Sequence, residues 1–111
     1  MNEQRSIATL RTQLDGLAAQ ARADIAQWSH DLEALPMTEY ARVMPEACRI
    51  LSQLTATIEG CTLLSNQAVT VPGADAVGIA YAAGARVNLR RIQARRRDLF
   101  PAVVQVEASY S

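Results

Sequence analysis

Residues 7–35 read IATLRTQLDGLAAQARADIAQWSHDLEAL. Apolar side chains recur there at Ile7, Leu10, Leu14, Leu17, Ala21, Ile25, Trp28, Leu32 and Leu35. The steps alternate between three and four, with one additional four-residue step from Ala21 to Ile25. That period lays one apolar stripe along an α-helix. Between the stripe positions lie Arg11, Gln13, Asp15, Gln20, Arg22, Asp24, Gln27 and Glu33, which read as a solvated face. Pro36 disfavours helical geometry at Leu35 and ends the segment. A helix over about 4–35 would be roughly 45 Å long at 1.5 Å per residue. A compact domain of 111 residues does not need that length, so part of the stripe is expected to pack on a second chain. Leu10, Leu14, Leu17, Ile25, Trp28 and Leu32 are accordingly assigned to core or homodimer packing.

Downstream, Thr38 is placed to cap a short turn over residues 39–44. Pro45 fits the first position of a second helix, with Glu46 at its positive end. That helix is expected over about 45–69. Its stripe is Ala47, Leu51, Leu54, Ile58, Cys61 and Ala68, with Ile50 and Leu64 beside it, and Gly60 weakens its middle. Pro72-Gly73 punctuates the chain before a third helix over about 74–100. Small residues recur four apart in this helix, Ala74, Gly78, Ala82 on one line and Ala76, Ala80, Gly84 on another, a spacing that admits close helix approach. Its core stripe reads Val77, Tyr81, Ala85, Leu89, Ile92 and Leu99. Ile79, Ala83 and Val87 fall on a different face, giving more apolar surface than a three-helix core requires. After Pro101 a tail, 101–111, carries Val103, Val104 and Val106. The fold class is therefore all-α: one domain over 1–111, a small bundle of about three helices with a long first helix.

Composition bounds the rest. Half the residues are apolar, but only one Trp and one Phe are present. An Ala-rich core buries little area, and burial stabilises by only about 25 cal/mol per Å², so self-association or partner binding is expected. Net charge is zero, which provides no global attraction to nucleic acid or membrane. The polar, periodic N-terminus is unlike a secretory signal. The longest Ala/Gly-rich stretch, residues 76–85, falls short of the roughly 18 apolar residues a membrane span needs. A cytoplasmic protein is the expectation. Cys48 and Cys61 would sit roughly 20 Å apart along one helix, too far for a disulfide, and read as buried free thiols.

Catalytic chemistry finds no support in these residues. His30 is the single histidine, and its neighbours Ser29 and Asp31 point in other directions on a helix. One His with two distant Cys does not make a tetrahedral metal set. Gly73, Gly78 and Gly84 do not follow a strand as a phosphate loop requires. Neither metal nor cofactor is expected. The cluster Arg86, Arg90, Arg91, Arg95, Arg96 and Arg97 is the rival signal, since basic residues at helical spacing neutralise phosphates. Stacking aromatics and a helix-turn-helix are missing, however. Pairing with the acidic first helix, through Asp15, Asp24, Asp31 and Glu33, accounts for the same residues, and nucleic acid is disfavoured.

The opening MNEQRSIATLRTQLDGLAAQARADIAQW, the junction PMTEYARVMPEACRIL and the Arg-only helix VNLRRIQARRRDLF resemble the QslA-like family of quorum-sensing anti-activators. The resemblance spans nearly the whole chain, although no short motif defines the family. It implies a helical homodimer that binds the ligand-binding domain of a LuxR-type transcription factor of the LasR kind. Occupying the receptor's dimerisation surface would prevent DNA binding. Such an inhibitor needs an apolar patch, and the candidate residues are Ile79, Ala82, Ala83, Arg86 and Val87, with Val103, Val104 and Val106 at the edge. The alternatives are a helical adaptor or secretion chaperone, and a nucleic-acid-binding protein using the Arg cluster.

Overall fold

The computed structural model describes residues 2–101, with side chains from Arg5 onward. The first apolar stripe becomes α1 (Asn2–Glu33), followed by α2 (Met37–Thr70) and α3 (Ala74–Leu99). Contacts across the bundle fix its direction. Leu10 lies against Gly78, Gln93 donates to Asp24 and Arg96 to Asp31, so α1 and α3 run parallel. Gly60 lies against Tyr81 and Arg95 against Glu46, so α2 runs antiparallel between them. Short links of this kind produce an up-down-up bundle.

Helix α1 closes as Pro36 requires. The Ala34 amide reaches back to the His30 and Asp31 carbonyls at 3.3 and 3.2 Å, and Leu35 to Leu32 at 3.2 Å. The start of α2 differs from the expectation. The helix begins at Met37, with Pro36 as its N-cap at φ −59° and ψ 152°, and runs through Pro45 without a break. The expected turn over 39–44 is its first two turns. Proline inside a helix removes one backbone bond and costs about 3 kcal/mol. Here Ala41, whose carbonyl loses its donor, and Pro45 itself are both exposed, so water can meet the freed carbonyl. Val43, 1% exposed, anchors this turn in the core. At the other end of α2, Val71 donates to the Gln67 carbonyl at 2.9 Å. Gly73 then takes φ +81°, a left-handed conformation that suits glycine, and α3 begins.

The core forms two clusters. One gathers Ala21, Trp28, Leu32, Val43, Ala47, Ile50, Leu54, Leu89, Ile92 and Phe100. Trp28 and Phe100 meet edge to face there, ring centroids 5.3 Å apart. The other gathers Leu10, Leu14, Ala18, Cys61, Leu64, Ala68 and Ala82. The bundle measures 55 × 30 × 17 Å with a radius of gyration of 16.7 Å, against about 13 Å for a compact 100-residue domain. The elongated bundle accommodates the full length of α1. Leu10, Leu14, Trp28 and Leu32 are buried within one molecule, and Leu17 and Ile25 pack half-buried against the clusters.

Three further expectations are corrected. Val77 is 59% exposed and leaves the α3 core line, which is Ala74, Gly78, Ala82, Ala85, Leu89, Ile92 and Arg96. Asp24, read as part of the solvated face, is buried, as is Asp31. Cys48 is exposed, and only Cys61 is a buried thiol. Burial first, then the Asp15 charge, pushes the Cys61 thiol above its ordinary range.

Candidate interaction surface

Inward packing of α3 determines what its outer side presents. Because Gly78 and Ala82 face α1, residues one and five positions later point away from the bundle. A side chain on Gly78 would approach Leu10 Cδ2 to 2.9 Å; glycine is what allows α1 and α3 to close. The outer line therefore contains Ile79, Ala83 and Val87. Ile79 is 59% and Val87 46% exposed, with Ala76, Ala80, Ala83 and Gly84 also exposed. These side chains sit on a continuous helix with regular spacing, so the surface is preorganised. Arg86 is exposed beside it, its Nη2 donating to Gln13 Oε1 at 3.1 Å. Ile79, Ala83, Arg86 and Val87 thus share one side of the molecule. Ala82 does not join them. It is 1% exposed in the cluster with Leu10 and Leu14, because its position follows the Ala74–Gly78 line. Val103, Val104 and Val106 lie outside the described residues.

The Arg cluster divides. Arg96 Nε donates to Asp31 Oδ2 at 2.6 Å and its Nη2 to Oδ1 at 3.2 Å, a buried bidentate pair. Arg95 pairs with Glu46 on α2 and approaches Asp98. Its hydrogen bond holds the Glu46 carboxyl below the usual range. Arg90, Arg91 and Arg97 are exposed. Pairing with α1 is thus realised at Asp31, and the six arginines do not form one solvent-facing phosphate stripe.

A polar cluster that the sequence reading missed lies between α1 and α3. Asp24 is 1% exposed. Its Oδ1 accepts from Gln20 Nε2 at 2.8 Å and Gln93 Nε2 at 2.5 Å. Asp24 Oδ2 and Trp28 Nε1, one turn further along α1, are buried without a hydrogen-bond partner. Desolvation by burial, only partly offset by the two glutamines and the Arg96 charge, raises the Asp24 carboxyl above its ordinary range. An open cleft of about 480 Å³ runs past it, lined by Gln20, Leu89, Arg90, Gln93 and Arg97. The signal that would have found Asp24 is its position, three residues after Ala21 and four before Trp28.

Other exposed apolar groups are Leu63 within α2, Met37 and Tyr40 at one end of the bundle, and Val69 and Val71 at the other. Val69, Val71 and Ile7 line an open cleft of about 360 Å³ there. Among the described residues, no group of three or more His, Cys, Asp or Glu is placed to hold a metal ion. No helix among them is long and apolar enough to cross a membrane. His30 is exposed. No protein-family model, curated protein or solved structure matches the chain.

Proposed function

We propose that this chain acts by binding another protein through the outer face of α3, without catalysis. The observation that carries the reading is the exposed line of Ile79, Ala83 and Val87 on a helix whose inner side already fills the core. Branched apolar side chains left in water on a rigid element are what a partner's apolar surface complements. Arg86, held by Gln13, adds an oriented donor at the rim.

The family resemblance supplies the partner class: the ligand-binding domain of a LuxR-type quorum-sensing transcription factor. In this reading the chain is an anti-activator. It competes for the surface through which the receptor dimerises, and the displaced monomer no longer binds DNA.

Light scattering coupled to size exclusion tests this on the chain alone and mixed with such a receptor domain. The expected result is a mixed species in which the receptor is no longer dimeric, lost in Ile79→Asp and in Val87→Asp. A receptor dimer of unchanged mass in the mixture refutes the anti-activator reading. A mixed species that survives both substitutions refutes the assignment of the face.

A further inference from the structure

Between α1 and α3 the chain buries a carboxyl that it satisfies only in part. Asp24 is 1% exposed. Both of its amide donors, Gln20 and Gln93, go to Oδ1, and Oδ2 has no partner. A buried acceptor left unpaired costs free energy that an apolar side chain at the same position would avoid. The same carboxyl lines the open cleft of about 480 Å³ between the two helices, a size typical of small-molecule sites. Leu89 gives the cleft an apolar wall, and Arg90 and Arg97 line it from α3. Both arginines are exposed. Among the described residues neither pairs with an acid, whereas Arg95 and Arg96 do. We propose that this cleft is a binding site for a free α-amino acid, its ammonium donating to Asp24 Oδ2 and its carboxylate held by Arg90 or Arg97.

The recognition is one of opposite charges set a short distance apart. Gln93 marks the height of Asp24 along α3, since its Nε2 lies 2.5 Å from Asp24 Oδ1. Arg90 lies one turn before Gln93 and Arg97 one turn after it, about 4.5 and 6 Å along the helix axis. Long guanidinium side chains span such distances, so a carboxylate one carbon away from the ammonium is within reach of either. A cation alone would satisfy Asp24 but meet two arginines. An anion alone would suit the arginines but meet the Asp24 carboxyl. The zwitterion answers both, through charge-assisted hydrogen bonds, which are the strong kind. Access to Oδ2 requires the exposed Gln20 side chain to swing into solvent, with Gln93 staying on Oδ1. The side chain of the bound amino acid then lies along Leu89. A lone water would donate to Oδ2 as well, but it would make no use of Arg90 and Arg97. Ile79, Ala83 and Val87 do not line this cleft, and the proposal does not rest on the partner assigned to their face.

Trp28 is the only tryptophan and sits one turn beyond Asp24 with its indole N–H buried, so its emission reports on this carboxyl. Titrating the full chain with each proteinogenic amino acid, to millimolar concentration, tests the proposal. Melting temperature is read for all of them, and Trp28 fluorescence for all but tryptophan. The expected result, for at least one amino acid, is a saturable change in emission matched by a rise in melting temperature. The amine lacking that amino acid's carboxylate, and the acid lacking its ammonium, should each bind at least about tenfold more weakly. Asp24→Asn should lose a similar factor while unfolding no more readily than the unsubstituted chain at neutral pH. Arg90→Ala with Arg97→Ala should lose as much, with helicity by circular dichroism unchanged. Lost binding without lost stability is what a purely packing role for Asp24 would not produce. The proposal is overturned if no amino acid gives a saturable response. It is equally overturned by binding that survives Asp24→Asn or the double arginine change, or by an amine that binds as tightly as its parent amino acid.

Discussion

The two core clusters join the same helices with different materials. Around Leu14, the cluster closes through small residues: Ala18, Ala68 and Ala82 are buried, and Gly78 lets Leu10 rest on the α3 backbone. Around Trp28, larger side chains lie between the helices. Leu54, Leu89, Ile92 and Phe100 fill the space, and polar groups are buried alongside: Asp24, bonded to half-buried Gln93, and Asp31 with Arg96. The first solution relies on backbone proximity, the second on volume and paired charge. The difference predicts different weaknesses. A core of small residues is broken by adding atoms, whereas a core holding a buried ion pair is broken by removing one partner.

The largest expected effect is therefore at Asp31. Its carboxylate is fully buried and the Arg96 side chain is 6% exposed. Asp31→Ala takes away the carboxylate that Arg96 grips with two donors, and should destabilise by about 3–5 kcal/mol in urea unfolding. Replacing the pair together, as Asp31→Leu with Arg96→Met, should recover most of that loss, since apolar substitutes spare both desolvation penalties. A double variant as unstable as the single would show that the ion pair itself, rather than the uncompensated charge, carries this end of the bundle.

Those buried charges also mark where sequence reading stopped. The alternation that begins Ile7, Leu10, Leu14, Leu17, Ala21 continues without interruption as Asp24, Trp28, Asp31 and Leu35. Reading apolar residues alone diverted the stripe to Ile25 and Leu32 and required an additional four-residue step. The regular heptad was there, with two aspartates on it. Composition gave no warning, because buried carboxylates are rare unless paired, and the partners, Gln93 and Arg96, lie about 65 residues away. The three helices and the Pro72-Gly73 break were legible from local periodicity. The helical start at Met37 was not, since proline is favoured at the first helical position and Pro45 fits that position by sequence. On α3 the exposed line of Ile79, Ala83 and Val87 followed from spacing. Which of the two small-residue lines faces α1 depended on Leu10, and so Ala82 was assigned to the wrong side.

The small-residue packing supplies a test of opposite sign at two glycines. Helix propensity favours alanine over glycine by about 1 kcal/mol in a helix interior, so both Gly60→Ala and Gly16→Ala look favourable from sequence. A methyl on Gly60 would overlap the ring and hydroxyl of Tyr81, whose Oη donates to the Ala56 carbonyl at 3.3 Å. Forcing that ring aside should cost about 1–3 kcal/mol. Gly16 is exposed with nothing within 4 Å of the added atom, and Gly16→Ala should stabilise by about 0.5–1 kcal/mol. Thermal unfolding of the two variants decides the matter. A stabilised Gly60→Ala would mean that Tyr81 swings out freely and the α2–α3 contact is looser than the structure has it.

The smallest effect separates the two polar pairs of the Trp28 cluster from each other. Arg96 compensates Asp31 at both oxygens, but Asp24 receives only two neutral amide donors on one oxygen, and its other oxygen has none. Desolvation prevails and the Asp24 carboxyl titrates above its unfolded value of about 3.9. A carboxyl raised in this way binds its proton more tightly in the folded state than in the unfolded one. Its contribution to stability is therefore fully present below the unfolded pKa and is lost as pH rises through the folded one. Asp24→Asn keeps an oxygen for Gln20 and Gln93 but cannot ionise. Relative to the unsubstituted chain, the variant should gain stability as the pH climbs from about 3.5 to 7, measured by urea unfolding of both proteins at each pH. A relative loss over the same interval would mean that the carboxylate form is the favoured one. Asp24 would then be compensated as fully as Asp31, and the contrast between the two pairs would disappear.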